Sequence, residues 1–362
     1  MITFHQPHRA GLEFVGSLQR FSSSVLRNEA AEDLAAMAGP DIVETPIGDR
    51  DPDAALAEVH ALIAHSPAAR FERFYQRFVA EQVYDRSIPA TEEQRPAAEA
   101  MLAAPVDTSQ AGRLILDADM PVPDYFDGVE WHLQPGGWDG YDLSIPMFMA
   151  GVVPYVFKHG GYAAVVVDAN TREHRRLVLE QLPRRDYQRI YEAGSGGVPT
   201  LASARQLFPH AELIGGDLSA AMQKAGHRMA AMMNLNVTLR QEDSRHTAEA
   251  DASVDAVVIY ATLHEMPDDV VRETFAEMFR ILKPGGDIVI SDPPPLKAVS
   301  PYLGYLLDWD NDFREEPFFG QHVRRDLTAM LAEAGFTHTD EKALGEAAYP
   351  WMTIAHKPDA AQ

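Results

Sequence analysis

Two patterns of apolar positions divide the chain. In the first part, apolar side chains recur at helical spacing, most clearly at Phe71, Phe74 and Phe78, and no strand repeat is visible. From about Thr171 onwards, short apolar runs alternate with helical stretches. This alternation predicts βαβ units and therefore a parallel sheet flanked by helices.

The predicted strands are short apolar runs, most of which end in a polar residue. Five of them are Arg189–Ala193, Glu212–Asp217, Val237–Asp243, Asp255–Ala261 and Asp287–Asp292. Two more, His338–Leu344 and Trp351–Lys357, predict an antiparallel hairpin that closes the sheet. The expected fold is a doubly wound, seven-stranded, Rossmann-like α/β sheet at residues 141–362. Residues 1–140 are expected to form a mainly helical region that recognises the substrate.

The charge and the composition of the chain limit the classes of partner and of site chemistry that it can have. The 362 residues carry a net charge of −23, which disfavours nucleic acids and anionic membranes, although a local basic patch is still compatible with it. The chain has 0 cysteines, which excludes disulfides, thiolate metal sites and a cysteine nucleophile. No signal peptide or spanning segment is visible, so we expect a cytoplasmic protein. The sequence leaves room for a homodimer.

A glycine-rich loop follows the first of these strands. Gly194, Gly196 and Gly197 allow a sharp turn and bring backbone N–H groups close to a ligand. The dinucleotide fingerprint G-x-G-x-x-G would require a third glycine at position 199, where this chain has Pro199. Proline suits the first turn of a helix. The loop alone is also compatible with a simple strand–helix turn.

Acidic residues at three consecutive strand ends change this interpretation. Glu192 precedes the glycine loop, Asp217 ends the second strand, and Asp243 ends the third. An acid at the position of Asp217 accepts hydrogen bonds from ribose hydroxyls, and one at Asp243 accepts from an adenine amino group. Because open α/β sheets bind ligands at these strand ends, the three acids together predict a nucleoside-containing ligand.

With these residues in place, the chain resembles the class I S-adenosylmethionine-dependent methyltransferases, nearest to the type found in ubiquinone and menaquinone biosynthesis. The matching positions are Glu192, Gly194, Gly196, Gly197, Asp217, Asp243, Val254–Pro267, Arg280–Asp292 and Ala334–Phe336. The resemblance covers about half of the chain. It implies S-adenosylmethionine as the cofactor, S-adenosylhomocysteine as the product, and O-, N- or C-methylation of a small organic acceptor.

The resemblance also implies a cofactor site at the strand ends. Glu192 is expected to bind the methionine ammonium, directly or through water, and the amides near Ser195 are expected to receive the carboxylate. The expected cofactor-binding residues are Glu192, Gly194, Ser195, Gly196, Asp217, Leu218, Asp243, Ser244 and Tyr260.

Three residues are candidates for catalysis: His264, Glu265 and Tyr141. Histidine is the usual base near neutral pH, and Glu265 would orient it or act as the base itself. The competing interpretation is that His264 packs beside the cofactor, that Glu265 caps the next helix, and that Tyr141 belongs to a packing loop. Pro267 and Asp268 exclude the zinc motif H-E-x-x-H, so no metal site is predicted. A magnesium ion arriving with the substrate remains open.

Two other classes of function stay open at this point. One is another enzyme on the same scaffold, either an aminopropyl transferase or a nicotinamide-dependent oxidoreductase. The other is a non-catalytic protein that binds S-adenosylmethionine. Pro199 argues against the nicotinamide enzyme, because that fingerprint has a glycine at this position.

Overall fold

The chain forms two compact units, each drawn from three segments. A computed structural model describes residues 2–159, 171–345 and 348–359. The first unit draws on residues 1–104, 128–169 and 295–323, and the second on residues 105–127, 170–294 and 324–362. The assignment of residues 1–140 to substrate recognition, and of 141–362 to the cofactor domain, stays a prediction.

The first unit is helical. Its helices are α1 (Gln6–Arg20), α2 (Arg27–Ala38), α3 (Asp41–Glu44), α4 (Pro52–Ile63), α5 (Pro67–Glu92), α6 (Arg95–Ala103), α7 (Ser144–Met147), and, after the sheet in sequence, α12 (Pro301–Phe313) and α13 (Phe319–His322). Its core forms where α1 and α5 pack together through Leu12, Val15, Val79 and Val83, with Met147 of α7 beside them. The helical N-terminal region is thereby confirmed.

The second unit contains the sheet. Its strands are β1 (Gly112–Ile115), β2 (Arg189–Ala193), β3 (Glu212–Asp217), β4 (Val237–Gln241), β5 (Val254–Tyr260), β6 (Leu282–Asp292), β7 (Thr337–Ala343) and β8 (Trp351–His356). They are ordered β1-β4-β3-β2-β5-β6-β8-β7. The first six are parallel, and β7 and β8 form the predicted antiparallel hairpin.

Helices cover both faces of this sheet, as expected for a doubly wound fold. They are α8 (Thr171–Leu179), α9 (Pro199–Leu207), α10 (Ala220–Met232), α11 (Asp268–Ile281) and α14 (Leu327–Glu333). Successive strand side chains point to opposite faces. Ile190, Leu213 and Val258 accordingly belong to one buried cluster. Tyr191, Ile214 and Val257 belong to the other. The α/β fold class is therefore confirmed.

The strand count differs from the prediction, because the sheet has eight strands instead of seven. The additional strand, β1, pairs in parallel with β4 at the edge of the sheet and comes from the region expected to be helical and irregular. Its four residues, GRLI, are too few to show the alternation that identifies a strand in a sequence. Its position follows from pairing with distant β4.

Among the described residues, no helix combines the length and the apolar composition needed to cross a bilayer.

Gly112 should be essential for the edge strand. Its φ is +83°, and a Cβ there would lie 2.0 Å from the carbonyl oxygen of Val237. Gly112→Ala should therefore cost about 1–3 kcal/mol and speed hydrogen exchange of the β4 amides. Gly128→Ala is the matched control, since Gly128 also has a positive φ, +72°, but has no atom within 4 Å of the added Cβ. Equal losses in both variants would show that the contact with Val237 is not decisive.

Candidate active site

The candidate site lies at the carboxyl ends of β2 and β5. Strand β2 pairs with β3 on one side and with β5 on the other, so the chain changes direction across the sheet at this point. Open α/β sheets bind ligands in the crevice that such a switch creates. The glycine loop leaves β2 here, and the segment with His264 leaves β5.

The two loops are in close contact. Gly194 has a φ of +68°, and a Cβ on it would lie 2.3 Å from Cγ2 of Thr262. The Ser195 N–H donates to the Gly216 carbonyl oxygen at 3.0 Å, which ties the loop to β3. A residue larger than glycine at position 194 would push the loops apart. Glycine at position 194 therefore allows the two loops to pack together, in addition to letting a ligand approach the backbone.

Helix α9 begins where the sequence predicted. Pro199 is its first residue, and Val198 before it adopts a left-handed conformation with a φ of +70°. Because Pro199 lacks an N–H, it leaves no donor unsatisfied at the start of the helix.

Asp217 holds the glycine loop from the end of β3. Its Oδ2 accepts from the Gly196 N–H at 2.9 Å, and its Oδ1 accepts from the Ser219 N–H at 2.9 Å. A carboxylate oxygen accepts more than one hydrogen bond. The geometry thus leaves Asp217 beside the loop, at the strand end where a ribose-binding acid is expected.

Glu192 is a buried acid with an unsatisfied oxygen. Its side chain lies at the end of β2 with 2% exposure. Burial raises its pKa to about 8, although a hydrogen bond from Thr200 and the charge of Arg175 oppose this shift. Among the described residues, its Oε2 has no hydrogen-bond partner. A buried acceptor of this kind is stabilised by a cationic donor, such as an ammonium group.

Asp243 is already paired in this structure. Its Oδ2 accepts from Arg245 Nη2 at 2.7 Å, and its Oδ1 accepts from the Arg245 backbone N–H at 2.9 Å. The ring of Tyr125 lies near the Arg245 guanidinium, 5.7 Å from its carbon. Burial, followed by the negative charge of Asp243, raises the pKa of Tyr125. An adenine amino group would have to compete with Arg245 for Asp243.

The remaining predicted cofactor residues have structural partners. Ser195 Oγ accepts from Gln223 Nε2 at 2.9 Å, and the Leu218 carbonyl oxygen accepts from Gln241 Nε2 at 3.3 Å. The Ser244 hydroxyl lies 3.1 Å from that of Thr274 in α11. These contacts orient the loops after β2, β3 and β4.

Tyr260, at the end of β5, belongs to a polar cluster with Tyr349, Arg175 and Thr200. Its hydroxyl lies 3.2 Å from the hydroxyl of Tyr349, and the Arg175 guanidinium lies 4.3 Å from its ring centre. Arg175 Nε also donates to Thr200 Oγ1 at 3.1 Å, and Thr200 in turn bonds Glu192. The cluster therefore connects Tyr260 to the buried acid.

His264 is held by an acid that the sequence analysis did not assign. Asp292, the last residue of β6, accepts from His264 Nδ1 at 2.5 Å and is 2% exposed. Its Oδ2 also accepts from the Thr262 N–H at 3.1 Å and the Leu263 N–H at 2.8 Å. In a neutral imidazole whose Nδ1–H donates to this carboxylate, the lone pair lies on Nε2. This arrangement suits a general base.

The sequence of this chain matches a family model and several known proteins. A family model described as a methyltransferase domain matches residues 190–286. The demethylmenaquinone methyltransferase of Thermus thermophilus is 28% identical over 190 residues, covering 47% of this chain and 83% of the relative. The arsenite methyltransferase of Halobacterium salinarum is 30% identical over 149 residues, covering 41% of this chain and 37% of the relative.

A relative in Staphylococcus aureus decides the family. Its demethylmenaquinone methyltransferase is 31% identical over 179 residues, covering 45% of this chain and 73% of the relative. The chain is a class I S-adenosylmethionine-dependent methyltransferase. The cofactor of the methyltransferase is therefore S-adenosylmethionine, as the resemblance implied.

Arg325 fixes the loop that carries the candidate base of the methyltransferase. Its Nη1 donates to the Leu263 carbonyl oxygen at 2.6 Å, and its Nε contacts Asp268 Oδ1 at 2.5 Å. It also donates to the carbonyl oxygen of Met266. The loop is thus held by Asp292 from one side and by Arg325 from the other, and Glu265 lies half-buried within it.

Tyr141 belongs to the helical unit, whereas His264 and Glu265 belong to the sheet unit. Its hydroxyl donates to Glu92 Oε1 at 2.8 Å. Burial, followed by this hydrogen bond, raises its pKa, so the phenol stays protonated near neutral pH. Its catalytic role stays a prediction. Within residues 2–159, 171–345 and 348–359, no cluster of three acidic or histidine side chains is arranged to hold a metal ion.

Glu192 should make the stability of the cofactor-free methyltransferase depend on pH. Burial raises the pKa of this carboxyl from its ordinary 4.5 to about 8, so the folded state loses stability relative to the unfolded state as pH increases between these values. Relative to wild type, Glu192→Gln should therefore gain unfolding free energy across that range, by on the order of 2–5 kcal/mol. Urea titrations at a series of pH values measure this difference. Exposed Glu58→Gln is the control, and a pH-independent difference would contradict the burial of an ionisable Glu192.

Proposed function

We propose that the methyltransferase methylates a small organic acceptor whose reacting group loses its proton to His264. The buried pair of His264 and Asp292 carries this proposal, because His264 lies in the loop that contacts Gly194 through Thr262 and Asp292, at the end of β6, holds that loop. Methyl transfer is accelerated mainly by alignment and by exclusion of water. A base adds to this when the acceptor is a hydroxyl or a protonated amine, because either must lose a proton to become nucleophilic.

The residues at the strand ends fit S-adenosylmethionine. The unpartnered Oε2 of buried Glu192 is suited to the ammonium group. The N–H groups of Ser195 and Gly196 already donate to Gly216 and Asp217, so the cofactor carboxylate would have to compete with these acceptors for the amides near Ser195. Asp217 is suited to the ribose hydroxyls, and the ring of Tyr125 to one side of the adenine. When bound, the cofactor supplies an electrophilic methyl group and leaves as S-adenosylhomocysteine.

His264 then acts on the acceptor. His264 would take the acceptor proton at Nε2, which leaves the lone pair of the acceptor available for the methyl group that the cofactor would supply. Asp292 stabilises the imidazolium through Nδ1 and keeps the ring in the productive tautomer. Glu265, two residues after Arg325-bound Leu263, remains a second candidate for the proton acceptor.

The relatives suggest two kinds of acceptor, since their names refer to demethylmenaquinone and to arsenite. The chain has 0 cysteines and so no thiolate to bind a soft inorganic acceptor. We therefore favour an organic acceptor with an acidic hydroxyl, and keep an amine as the second candidate. Neither an aminopropyl transferase nor a nicotinamide enzyme gains support from the comparisons. The cytoplasmic location and the lack of nucleic-acid binding stay predictions.

Removal of the base should slow turnover without loss of cofactor. His264→Ala should lower turnover about 10²- to 10⁴-fold, because general-base assistance is worth that much. The assay is S-adenosylhomocysteine release with a panel of phenols, catechols, hydroquinones and aryl amines. S-adenosylmethionine affinity, measured by calorimetry, should stay near wild type. Exposed His210→Ala is the control.

Asp292→Asn should act through the imidazole. In ¹⁵N spectra of the histidine ring, wild type should show the Nδ1–H tautomer, and Asp292→Asn should shift the population towards Nε2–H. Turnover should fall in parallel.

If His264→Ala keeps its turnover but loses cofactor affinity, His264 is part of the cofactor wall. That result would contradict the proposed base.

A further inference from the structure

A half-buried cation of α8 reaches the start of α9. Arg175 Nε donates to Thr200 Oγ1 at 3.1 Å. Its Nη1 donates to the Thr171 carbonyl oxygen at 3.1 Å, one turn earlier in its own helix. In the part of the chain that the structure describes, Arg175 makes no further hydrogen bond and forms no ion pair with a carboxylate. No described residue therefore uses the two N–H groups of Nη2.

The ring of Tyr260 helps to fix the orientation of this guanidinium. The guanidinium carbon of Arg175 lies 4.3 Å from the ring centre, which is the distance of a cation–π contact. The ring is itself held, since its hydroxyl lies 3.2 Å from that of Tyr349. Because the Arg175 side chain is already ordered by these contacts, it loses little further rotamer freedom when a ligand binds.

The Thr200 hydroxyl connects Arg175 to the buried acid Glu192. Burial raises the pKa of Glu192, whereas the hydrogen bond from Thr200 and the charge of Arg175 lower it. Two hydrogen bonds of about 3 Å each place the guanidinium and the carboxylate on the order of 6 Å apart. Glu192 Oε2 has no hydrogen-bond partner among the described residues. A cation and an anion therefore lie close together, each with polar atoms that no described residue uses.

This pair of charges fits the α-amino acid end of a ligand, which carries an ammonium group and a carboxylate on one carbon atom. Glu192 suits the ammonium group, and Arg175 suits the carboxylate, because a guanidinium presents paired N–H donors to a planar carboxylate. The backbone N–H groups of Ser195 and Gly196 already donate to acceptors in β3. Arg175 thus offers the carboxylate a donor for which no described acceptor competes.

The acids at this edge of the sheet make a cation necessary for such a ligand. Glu192 and Asp217 lie at the carboxyl ends of the adjacent strands β2 and β3, and the net charge of the chain is −23. These acids repel a ligand carboxylate. Arg245, another cation near these strand ends, is bound to Asp243. Arg175 is therefore better placed to offset the repulsion.

We propose that Arg175 binds the carboxylate of the cofactor while Glu192 binds its ammonium group, so that the two residues together recognise the α-amino acid end. This inference rests on the proposed fit of the cofactor at the strand ends and adds Arg175 to it. Recognition of the carboxylate selects S-adenosylmethionine over its decarboxylated form. The selection suits a methyltransferase, because the decarboxylated form is the donor that an aminopropyl transferase requires.

Two ligands that differ only in the carboxylate test the role of Arg175. S-adenosylhomocysteine and its decarboxylated analogue, S-adenosyl-3-thiopropylamine, share the adenosine, the thioether and the amino group. In calorimetry on the full chain, the wild type should bind S-adenosylhomocysteine about 10- to 100-fold more tightly than the analogue. Arg175→Met should lose about this factor for S-adenosylhomocysteine and bind the analogue within about 3-fold of wild type.

Further variants separate a contact with the carboxylate from general support of the site. Arg175→Lys keeps the charge but not the planar fork, so it should retain part of the preference for S-adenosylhomocysteine. Glu192→Gln should weaken both ligands alike, because both carry the ammonium group. Arg176→Met is the matched control, since Arg176 is the next residue of α8 but pairs with Glu173 and Glu180. Its affinities for both ligands should equal those of the wild type.

Equal losses for the two ligands in Arg175→Met would overturn the proposal, because they would show that Arg175 only supports Thr200 and Glu192. Equal affinity of the wild type for the two ligands would overturn it as well.

Asp217→Ala, which removes the proposed ribose acceptor, shows which claim has failed. If Asp217→Ala weakens both ligands while Arg175→Met weakens neither, the cofactor site stands and only the role of Arg175 is wrong. If neither variant changes either affinity, the proposed cofactor site is itself wrong, and the inference about Arg175 is wrong with it.

Discussion

The carboxylate of Asp292 organises the candidate site. From the end of β6 it accepts three hydrogen bonds from the loop after β5, two from backbone N–H groups and one from His264. The loop it holds is the one that packs against Gly194 through Thr262. The position of the candidate base and the shape of the glycine loop therefore depend on one buried acid, whose own charge is stabilised by these donors.

The sequence predicted the sheet and the cofactor family well, for physical reasons that are local. Each apolar run that alternates with a helix is visible by itself, and β2 and β3 match their predicted bounds. The glycine motif and Asp217 could be interpreted from their positions alone, because a sharp turn favours glycine and a ribose-binding acid is expected at a strand end. Pro199 likewise predicted the start of α9.

What the sequence did not reveal depends on contacts between distant residues. Asp292, like Asp217, is an acid at a predicted strand end. Its contact with His264 was not predictable, because His264 lies 28 positions earlier in the chain. Tyr125 reaches Arg245 from a segment without a recognisable pattern. Strand β1 needs β4 to become a strand at all. The pairing of Asp243 with Arg245 was also not predictable, because a sequence does not show whether two charged residues two positions apart contact each other.

Calorimetry with S-adenosylmethionine tests the central claim, that the carboxyl ends of β2, β3 and β5 form the cofactor site. The wild type should bind S-adenosylmethionine and S-adenosylhomocysteine and show no comparable binding of NAD. Asp217→Ala should lose about 10- to 100-fold in affinity, because each lost bond to the ribose costs roughly 1.5–3 kcal/mol. Exposed Asp49→Ala should not differ from wild type. Tight NAD binding without S-adenosylmethionine binding, or an unchanged affinity in Asp217→Ala, would contradict the account.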